Sequence, residues 1–117
     1  MSNPEPPTLL VRTTANGSTF LVELAGEMDM TTSPALSQAI ERTPEGTALV
    51  VVDLAELGFL DSSGLNALVR GRRVLADREI SMCVVVPPES PIRRVFEITR
   101  LTESHSAVDT QPPSLRL

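Results

Sequence analysis

Residues 59–68, FLDSSGLNAL, join two segments with different hydrophobic patterns. The preceding run ALVVVDL, residues 48–54, is a block of aliphatic residues, which is typical of a central strand buried on both faces. After the junction, apolar residues recur at helical spacing: Leu65, Leu68, Val69 and Leu75. The turn carries an acid, two hydroxyls and a glycine: Asp61, Ser62, Ser63 and Gly64. The sequence therefore predicts a strand, a polar turn and a helix over about residues 62–77.

The other segments continue this alternation of strands and helices. The strand candidates LLVRTT and STFLVELAGEMD flank ANG, residues 15–17, which is a strong hairpin signal. TTSPALSQAIERT is predicted to form a helix that Ser33 caps and that has Pro34 at its first helical position. ISMCVVV, SPIRRVFEIT and HSAVDT are predicted to form a strand, a helix with the same Ser-Pro start and a short edge strand. The predicted order is β-β-α-β-α-β-α-β.

This order predicts an α/β fold with a small mixed sheet. Helices alternating with apolar strands imply parallel pairing through right-handed crossovers, with a hairpin at the N-terminus and the helices packed on the sheet. A chain of 117 residues has room for one domain. We expect a flexible arm over residues 1–7, which hold three prolines, the domain over residues 8–110 and a tail over residues 111–117.

Composition argues against several classes of protein. The net charge of −5 and the absence of Trp and Tyr do not suit nucleic-acid binding, which favours a basic surface and aromatic platforms. No apolar run approaches the ~18 residues that span a bilayer, and the first ten residues lack a signal-peptide pattern. A single cysteine, Cys83, suits a reducing compartment, and with one distant His105 it makes no metal-ligand set. A cytoplasmic protein without metal, cofactor, nucleic acid or membrane as partner is expected.

Catalysis by the junction serines is not expected. A nucleophilic serine needs a neighbouring base, and the one histidine, His105, falls in a weak C-terminal strand. No Gly-x-Ser-x-Gly elbow surrounds Ser62 or Ser63, and the chain contains no lysine that could replace a histidine. The sequence predicts that the protein is not an enzyme.

Two other interpretations of the hydroxyls stay open. Asp and Ser are preferred helix caps, each worth ~1 kcal/mol, but a helix needs only one, which leaves a second hydroxyl over. A phosphate on Ser62 would lie at a helix N-terminus, where N–H groups and the helix dipole tolerate anions, and would add ~1.5–2 negative charges beside Asp61. Gly64 is expected to keep this surface free of a side chain, so that another molecule can approach.

Three segments carry a resemblance to a known family. LAGEMDMTTSPAL (24–36), VVVDLAELGFLDSSGL (50–65) and PPESPIRRVFEITRL (87–101) resemble, in order and spacing, the STAS domains of bacterial anti-sigma factor antagonists. The resemblance covers about residues 8–109 and implies a STAS-like fold, in agreement with the element order inferred from the hydrophobic pattern.

The resemblance also implies functional roles. Ser62 matches the serine that an anti-sigma factor phosphorylates, with Ser63 as the alternative acceptor. The partner-binding residues would be Asp29, Asp61, Ser62, Ser63, Gly64 and Asn66, the last in place of a small residue usual in the family. The partner would be an anti-sigma factor that is a serine kinase of the histidine-kinase-like ATPase fold. The unphosphorylated chain would bind it and free a sigma factor, phosphorylation would release it, and a PP2C-type phosphatase would reset the switch.

Each role has an alternative. Asp29 could only terminate the second strand, Asp61 could only support the turn, and Ser63 could be only the helix cap. The chain could also be a STAS scaffold or sensor module in a stress-signalling assembly without a phospho-switch. A monomer or weak dimer is expected.

Overall fold

The computed structural model describes residues 9–99 and 107–108. It contains β1 (Leu9–Asn16), β2 (Thr19–Met28), α1 (Ser33–Glu41), β3 (Leu49–Leu60), α2 (Ser62–Asp77), β4 (Ser81–Val85), α3 (Arg93–Thr99) and β5 (Ala107–Val108). This is the predicted element order. The predicted arm, the predicted tail and His105 lie outside the described residues.

The strands form one mixed sheet in the order β1-β2-β3-β4-β5. β1 and β2 pair antiparallel as the predicted hairpin, and the three remaining pairs are parallel. Asn16 still pairs with Thr19, so the loop is Gly17–Ser18 and begins later than the sequence predicted. Gly17 has φ +62°, a left-handed conformation that glycine adopts without steric cost, which is why the chain can reverse in two residues.

The hydrophobic core lies between the helices and alternate residues of the strands. In β2 the predicted alternation holds, because Phe20, Val22 and Leu24 are buried. The residues that join them in one cluster include Val50, Val52 and Leu54 of β3, Met82 and Val84 of β4, Leu36, Ala39 and Ile40 of α1, and Leu68 and Leu75 of α2. Val51 is buried as well but outside this cluster, so the middle of β3 is buried on both faces, as predicted.

β3 is longer than the sequence indicated and reaches Leu60. Its pairing with β2 shifts register twice, between Asp53 and Glu56 and between Leu57 and Phe59. Each shift adds a residue to β3 that β2 lacks, as in a β-bulge, and changes which face the following side chains occupy. Leu54, Leu57 and Leu60 are therefore buried at a spacing of three residues, which matches no simple strand or helix pattern.

The two Ser-Pro helix starts differ from the prediction. Ser33 is the first residue of α1 and is buried, and the N-cap, Thr32, makes no side-chain capping bond, so the prediction that Ser33 caps α1 is wrong. At the second start, Ser90 Oγ accepts the Ile92 N–H at 3.2 Å in a turn, and α3 begins only at Arg93.

Helix α2 ends close to α1 at the edge of the sheet opposite the junction. Arg78, its C-cap residue, donates from Nη2 to the Thr43 carbonyl oxygen at 3.0 Å, just beyond the end of α1. Gly71 of α2 lies against Ile40, since a Cβ at this glycine would clash with Ile40 Cδ1. A side chain at residue 71 would displace the end of the Ile40 side chain. No helix in the described part of the chain is long and apolar enough to cross a membrane.

Candidate functional site

The ends of β2 and β3 bring the two predicted acidic positions to one edge of the sheet. Met28 is in register with Leu60, and the Asp61 N–H donates to the Met28 carbonyl oxygen at 3.3 Å. The strands are parallel, so the chain leaves both at the same edge, at Asp29 after β2 and at Asp61 after β3. In α/β sheets this carboxyl edge is where ligands and partners usually bind.

Asp61 caps α2. Its backbone is extended, and its Oδ1 accepts the N–H groups of Ser63 at 2.9 Å and Gly64 at 3.1 Å. Two of the N–H groups that a helix start leaves unpaired are thus satisfied by one carboxylate. The interpretation of Ser63 as the helix cap is therefore wrong, because Ser62 and Ser63 already belong to the first turn of the helix.

The structure leaves the Ser62 hydroxyl available for chemistry. Ser62 is exposed, whereas Ser63 is partly buried. Within residues 9–99 and 107–108 no group hydrogen-bonds to the Ser62 side chain, and Ser62 is the first of the 16 residues of α2. A phosphate on Ser62 would lie at the positive end of the helix dipole, although Asp61 already occupies two of the N–H groups there.

Gly64 faces the interior instead of the surface. A Cβ on Gly64 would lie 2.6 Å from Leu60 Cδ1, 3.0 Å from Met28 Cγ and 3.1 Å from the Met28 carbonyl oxygen. The expectation that this glycine keeps the outer surface open is wrong, because its missing side chain lets α2 pack closely on the end of β2. A contact between Gly64 and a partner stays a prediction.

Asp29 organises the loop between β2 and α1. Its Oδ1 accepts the Thr31 hydroxyl at 2.8 Å, the Thr31 N–H at 3.0 Å and the Thr32 N–H at 3.1 Å. The Thr31 hydroxyl, followed by the Thr32 N–H, lowers the pKa of Asp29 below the ordinary aspartate value of 3.8, since both bonds favour the carboxylate. The loop geometry agrees with the alternative in which Asp29 terminates the strand, and a partner contact by Asp29 stays a prediction.

Asn66 lies one helical turn after Ser62 and is exposed. Residues four apart share a face of a helix, and helical side chains lean toward the N-terminus, so the Asn66 amide extends toward the turn that carries Ser62. No hydrogen bond holds this amide within the described residues. The structure therefore places Asn66 on the surface beside Ser62, where its predicted contact with a partner is sterically open.

Two exposed apolar side chains at this edge were missed by the sequence analysis. Met30, directly after Asp29, is 72% exposed, and Phe59, two residues before Asp61, is 47% exposed. The second register shift of β3 leaves Phe59 outside the core, in register with the exposed Glu27. Met30 had a signal in the sequence, because a large apolar residue stands alone in a polar loop, DMTTS.

The part of this edge that the ends of β2 and β3 form is acidic. Glu27, Asp29 and Asp61 lie on it, and the segments 27–33 and 58–66 contain no arginine and no lysine. Across the described residues, no group of three His, Cys, Asp or Glu side chains is arranged to hold a metal ion. The edge therefore offers acidic groups, the exposed Ser62 hydroxyl and two apolar side chains to another molecule.

Comparisons with known proteins agree with this fold. A family model described as "Mlab, STAS domain" matches residues 11–109. The anti-sigma-B factor antagonist of Listeria monocytogenes is 35% identical over 82 residues, which cover 68% of this chain and 70% of the relative. The protein of the same name from Staphylococcus epidermidis is 30% identical over 96 residues, which cover 81% of this chain and 88% of the relative.

Solved structures give the same result. An anti-sigma factor antagonist from Mycobacterium paratuberculosis superposes with a TM-score of 0.78 at 29% identity, covering 91% of this chain and 90% of that one. The unphosphorylated form of SpoIIAA has a TM-score of 0.66 at 20% identity, covering 87% and 89%, and supports the fold alone. The chain belongs to the STAS-domain family of anti-sigma factor antagonists.

Proposed function

We propose that the protein is an anti-sigma factor antagonist that works by partner switching through Ser62. The unphosphorylated chain binds an anti-sigma factor, a serine kinase of the histidine-kinase-like ATPase fold, and thereby frees a sigma factor. The kinase phosphorylates Ser62 and the complex dissociates, and a PP2C-type phosphatase restores the binding form. In this cycle the protein is a substrate and a binding partner, not an enzyme.

The observation that carries the proposal is the state of the Ser62 hydroxyl. Asp61 supplies the cap of α2, so the helix does not need this hydroxyl. Ser62 is nevertheless presented, exposed and without a hydrogen bond from the described residues, at the sheet edge where partners usually bind. A serine with no structural task at such a place fits a modification site. The names of the relatives support the assignment of an anti-sigma factor as partner.

Phosphorylation can act here without a change of conformation. A phosphate on Ser62 would bring about two negative charges to an edge that already carries Asp29 and Asp61. Facing a partner carboxylate at ~5 Å with an effective dielectric of ~20, those charges interact at about 6 kcal/mol before screening. A third of that energy, about 2 kcal/mol, already lowers affinity more than tenfold.

The test is an affinity capture from a lysate of the protein's native cells, followed by quantitative mass spectrometry. The baits are the wild type, Ser62→Ala and Ser62→Asp, with Ser63→Ala and Ser63→Asp as the matched pair one residue along. We expect an ATPase-fold regulator to be enriched on Ser62→Ala and lost on Ser62→Asp. Loss on Ser63→Asp alone would move the acceptor to Ser63.

A second measurement separates the kinase step from binding. The captured regulator, incubated with ATP and the wild-type chain, should transfer one phosphate, which peptide mass spectrometry should locate on Ser62. If the Ser62→Ala and Ser62→Asp baits keep the same partners, the phospho-switch is excluded. The alternative of a STAS scaffold or sensor module in a stress-signalling assembly would then be preferred.

A further inference from the structure

We propose that Met30 and Phe59 are the apolar anchors by which the protein binds its anti-sigma factor, and that the partner offers an apolar depression within a basic surface. This inference rests on the proposed function and adds to it the side chains that supply affinity. Ser62 then controls a contact whose strength comes mainly from two neighbouring residues.

The position of the two side chains supports this assignment. Four large apolar side chains of the described chain are exposed, and Met30 and Phe59 are two of them. The strand register places Glu27 beside Phe59 and Met28 beside Leu60, so Phe59 lies at the end of the sheet from which the Asp29–Met30 loop leaves β2. Met30 and Phe59 therefore occupy the same edge as Ser62, whereas Val74 lies three turns along α2 and Leu10, the second residue of β1, is in register with Ala25.

The exposure of these side chains is not required by the fold. Burying them in the core would be favourable, yet the bulge in β3 leaves Phe59 outside it and the Asp29 turn leaves Met30 outside it. Aromatic residues and methionine are enriched at protein interfaces, where a few such side chains supply most of the binding energy. Met30, which is flexible and polarizable, and Phe59, which is rigid, suit an apolar depression on another protein.

The charge of the edge identifies the character of the partner surface. Glu27, Asp29 and Asp61 lie around the two apolar side chains, and no basic residue occurs in segments 27–33 or 58–66. Complementary potentials favour association and exclude like-charged surfaces, so the partner should present arginine or lysine around its apolar depression. Phosphorylation of Ser62 would add negative charge to this surface, at a place where the partner's side chains lose water when the two proteins bind.

The test uses the full chain as bait in the Ser62→Ala background, so that phosphorylation does not affect the outcome. Met30→Ala, Phe59→Ala and the double variant are compared with Val74→Ala, which shortens an exposed apolar side chain three turns along α2. Glu27→Gln is compared with Glu45→Gln in the loop at the opposite edge.

We expect each anchor variant to lower capture of the ATPase-fold regulator about tenfold and the double variant to abolish it. Glu27→Gln should weaken capture more strongly at low salt. The Val74 and Glu45 variants should bind like the parent.

The possible results distinguish this inference from the proposed function. If the parent bait captures the regulator and the double variant captures it equally well, the anchors are wrong and the partner-switching proposal stands. If the parent captures no such regulator, both fail. Sedimentation velocity of the isolated chain tests for self-association. If the parent chain is a dimer and the double variant is a monomer, Met30 and Phe59 belong to a dimer interface and the inference is overturned. Thermal unfolding of each variant identifies any loss of fold.

Discussion

The backbone N–H of Asp61 is bonded to the carbonyl oxygen of Met28, at 3.3 Å, and this bond joins the two loops of the site. The same carbonyl oxygen would lie 3.1 Å from a Cβ placed on Gly64. One peptide group at the end of β2 therefore fixes the start of α2 from two directions. Asp29, the next residue after Met28, begins the other loop, so a displacement at this point would move both acidic side chains.

Gly64→Ala should lower the free energy of unfolding by about 1–3 kcal/mol, the usual effect of overpacking a filled site. The added methyl group would press on Leu60 Cδ1, which can rotate, and on the Met28 carbonyl, which belongs to the backbone and cannot. The measurement is urea denaturation followed by circular dichroism. Gly58→Ala is the control, because a Cβ there would be at an ordinary 3.8 Å from the Gly26 carbonyl oxygen. Equal stability of the two variants would contradict the packing assigned to Gly64.

Asp61→Ala should lower the free energy of unfolding by about 1 kcal/mol, because the N–H groups of Ser63 and Gly64 lose their acceptor. Asp61→Asn should lose much less, since asparagine is an equally good cap without the charge. Chemical denaturation of the three proteins measures both effects. Asp77→Ala, at the other end of α2, removes an exposed acid from a negative helix terminus and should not destabilise the protein. A loss for Asp77→Ala as large as for Asp61→Ala would argue against the cap.

The element order could be predicted because the hydrophobic periodicity and the turn residues between segments agreed along most of the chain. In β2 the alternating burial of Phe20, Val22 and Leu24 is what a half-buried strand requires. The end of β3 could not be predicted in this way. Its two register shifts bury Leu54, Leu57 and Leu60 at a spacing of three, and bulges depend on the neighbouring strand, which a local pattern does not contain.

The site was located by the sequence, but the roles of its residues needed the geometry. Three consecutive residues, Asp61, Ser62 and Ser63, are all good caps, and only the backbone conformation decides that Asp61 takes the position. The direction in which the absent side chain of Gly64 would point depends on the crossing of α2 over β2. Phe59 is exposed because of the second register shift of β3, and the register shifts are also the reason why the length of β3 was underestimated. Local composition carries none of this information.

Asp29 should make the stability of the protein depend on pH in the acidic range. Its pKa in the folded state lies below the ordinary aspartate value of 3.8, so its carboxylate stabilises the fold above about pH 3.8. This stabilisation is lost as the pH falls through the folded pKa. The difference in stability between the wild type and Asp29→Asn should therefore shrink below pH 3.8. Urea denaturation of both proteins from about pH 2.5 to about pH 6, the range in which carboxyl groups titrate, measures this difference in stability.

A carboxyl titration by NMR tests the cause of this lowered pKa. The hydroxyl of Thr31 is the main contributor, so Thr31→Ala should move the Asp29 titration midpoint upward, toward 3.8. Thr14→Ala, in the exposed hairpin strand β1, should leave the midpoint unchanged. An unmoved midpoint in Thr31→Ala would show that the hydroxyl does not hold the Asp29 carboxylate.

Glu79→Gly should stabilise the protein, because Glu79 has φ +63° just after the C-cap of α2. A residue with a Cβ is strained in this left-handed conformation by about 1–2 kcal/mol, whereas glycine is not. Glu79→Ala is the matched control, since it removes the same charge but keeps the Cβ. After the greater chain entropy of unfolded glycine is subtracted, the glycine variant should be more stable than the alanine variant by about 0.5–1 kcal/mol. Thermal and urea unfolding of the pair give this difference directly, and an alanine variant as stable as the glycine variant would exclude strain at Glu79. Because this position lies at the edge opposite Ser62, both variants should bind the anti-sigma factor like the parent chain.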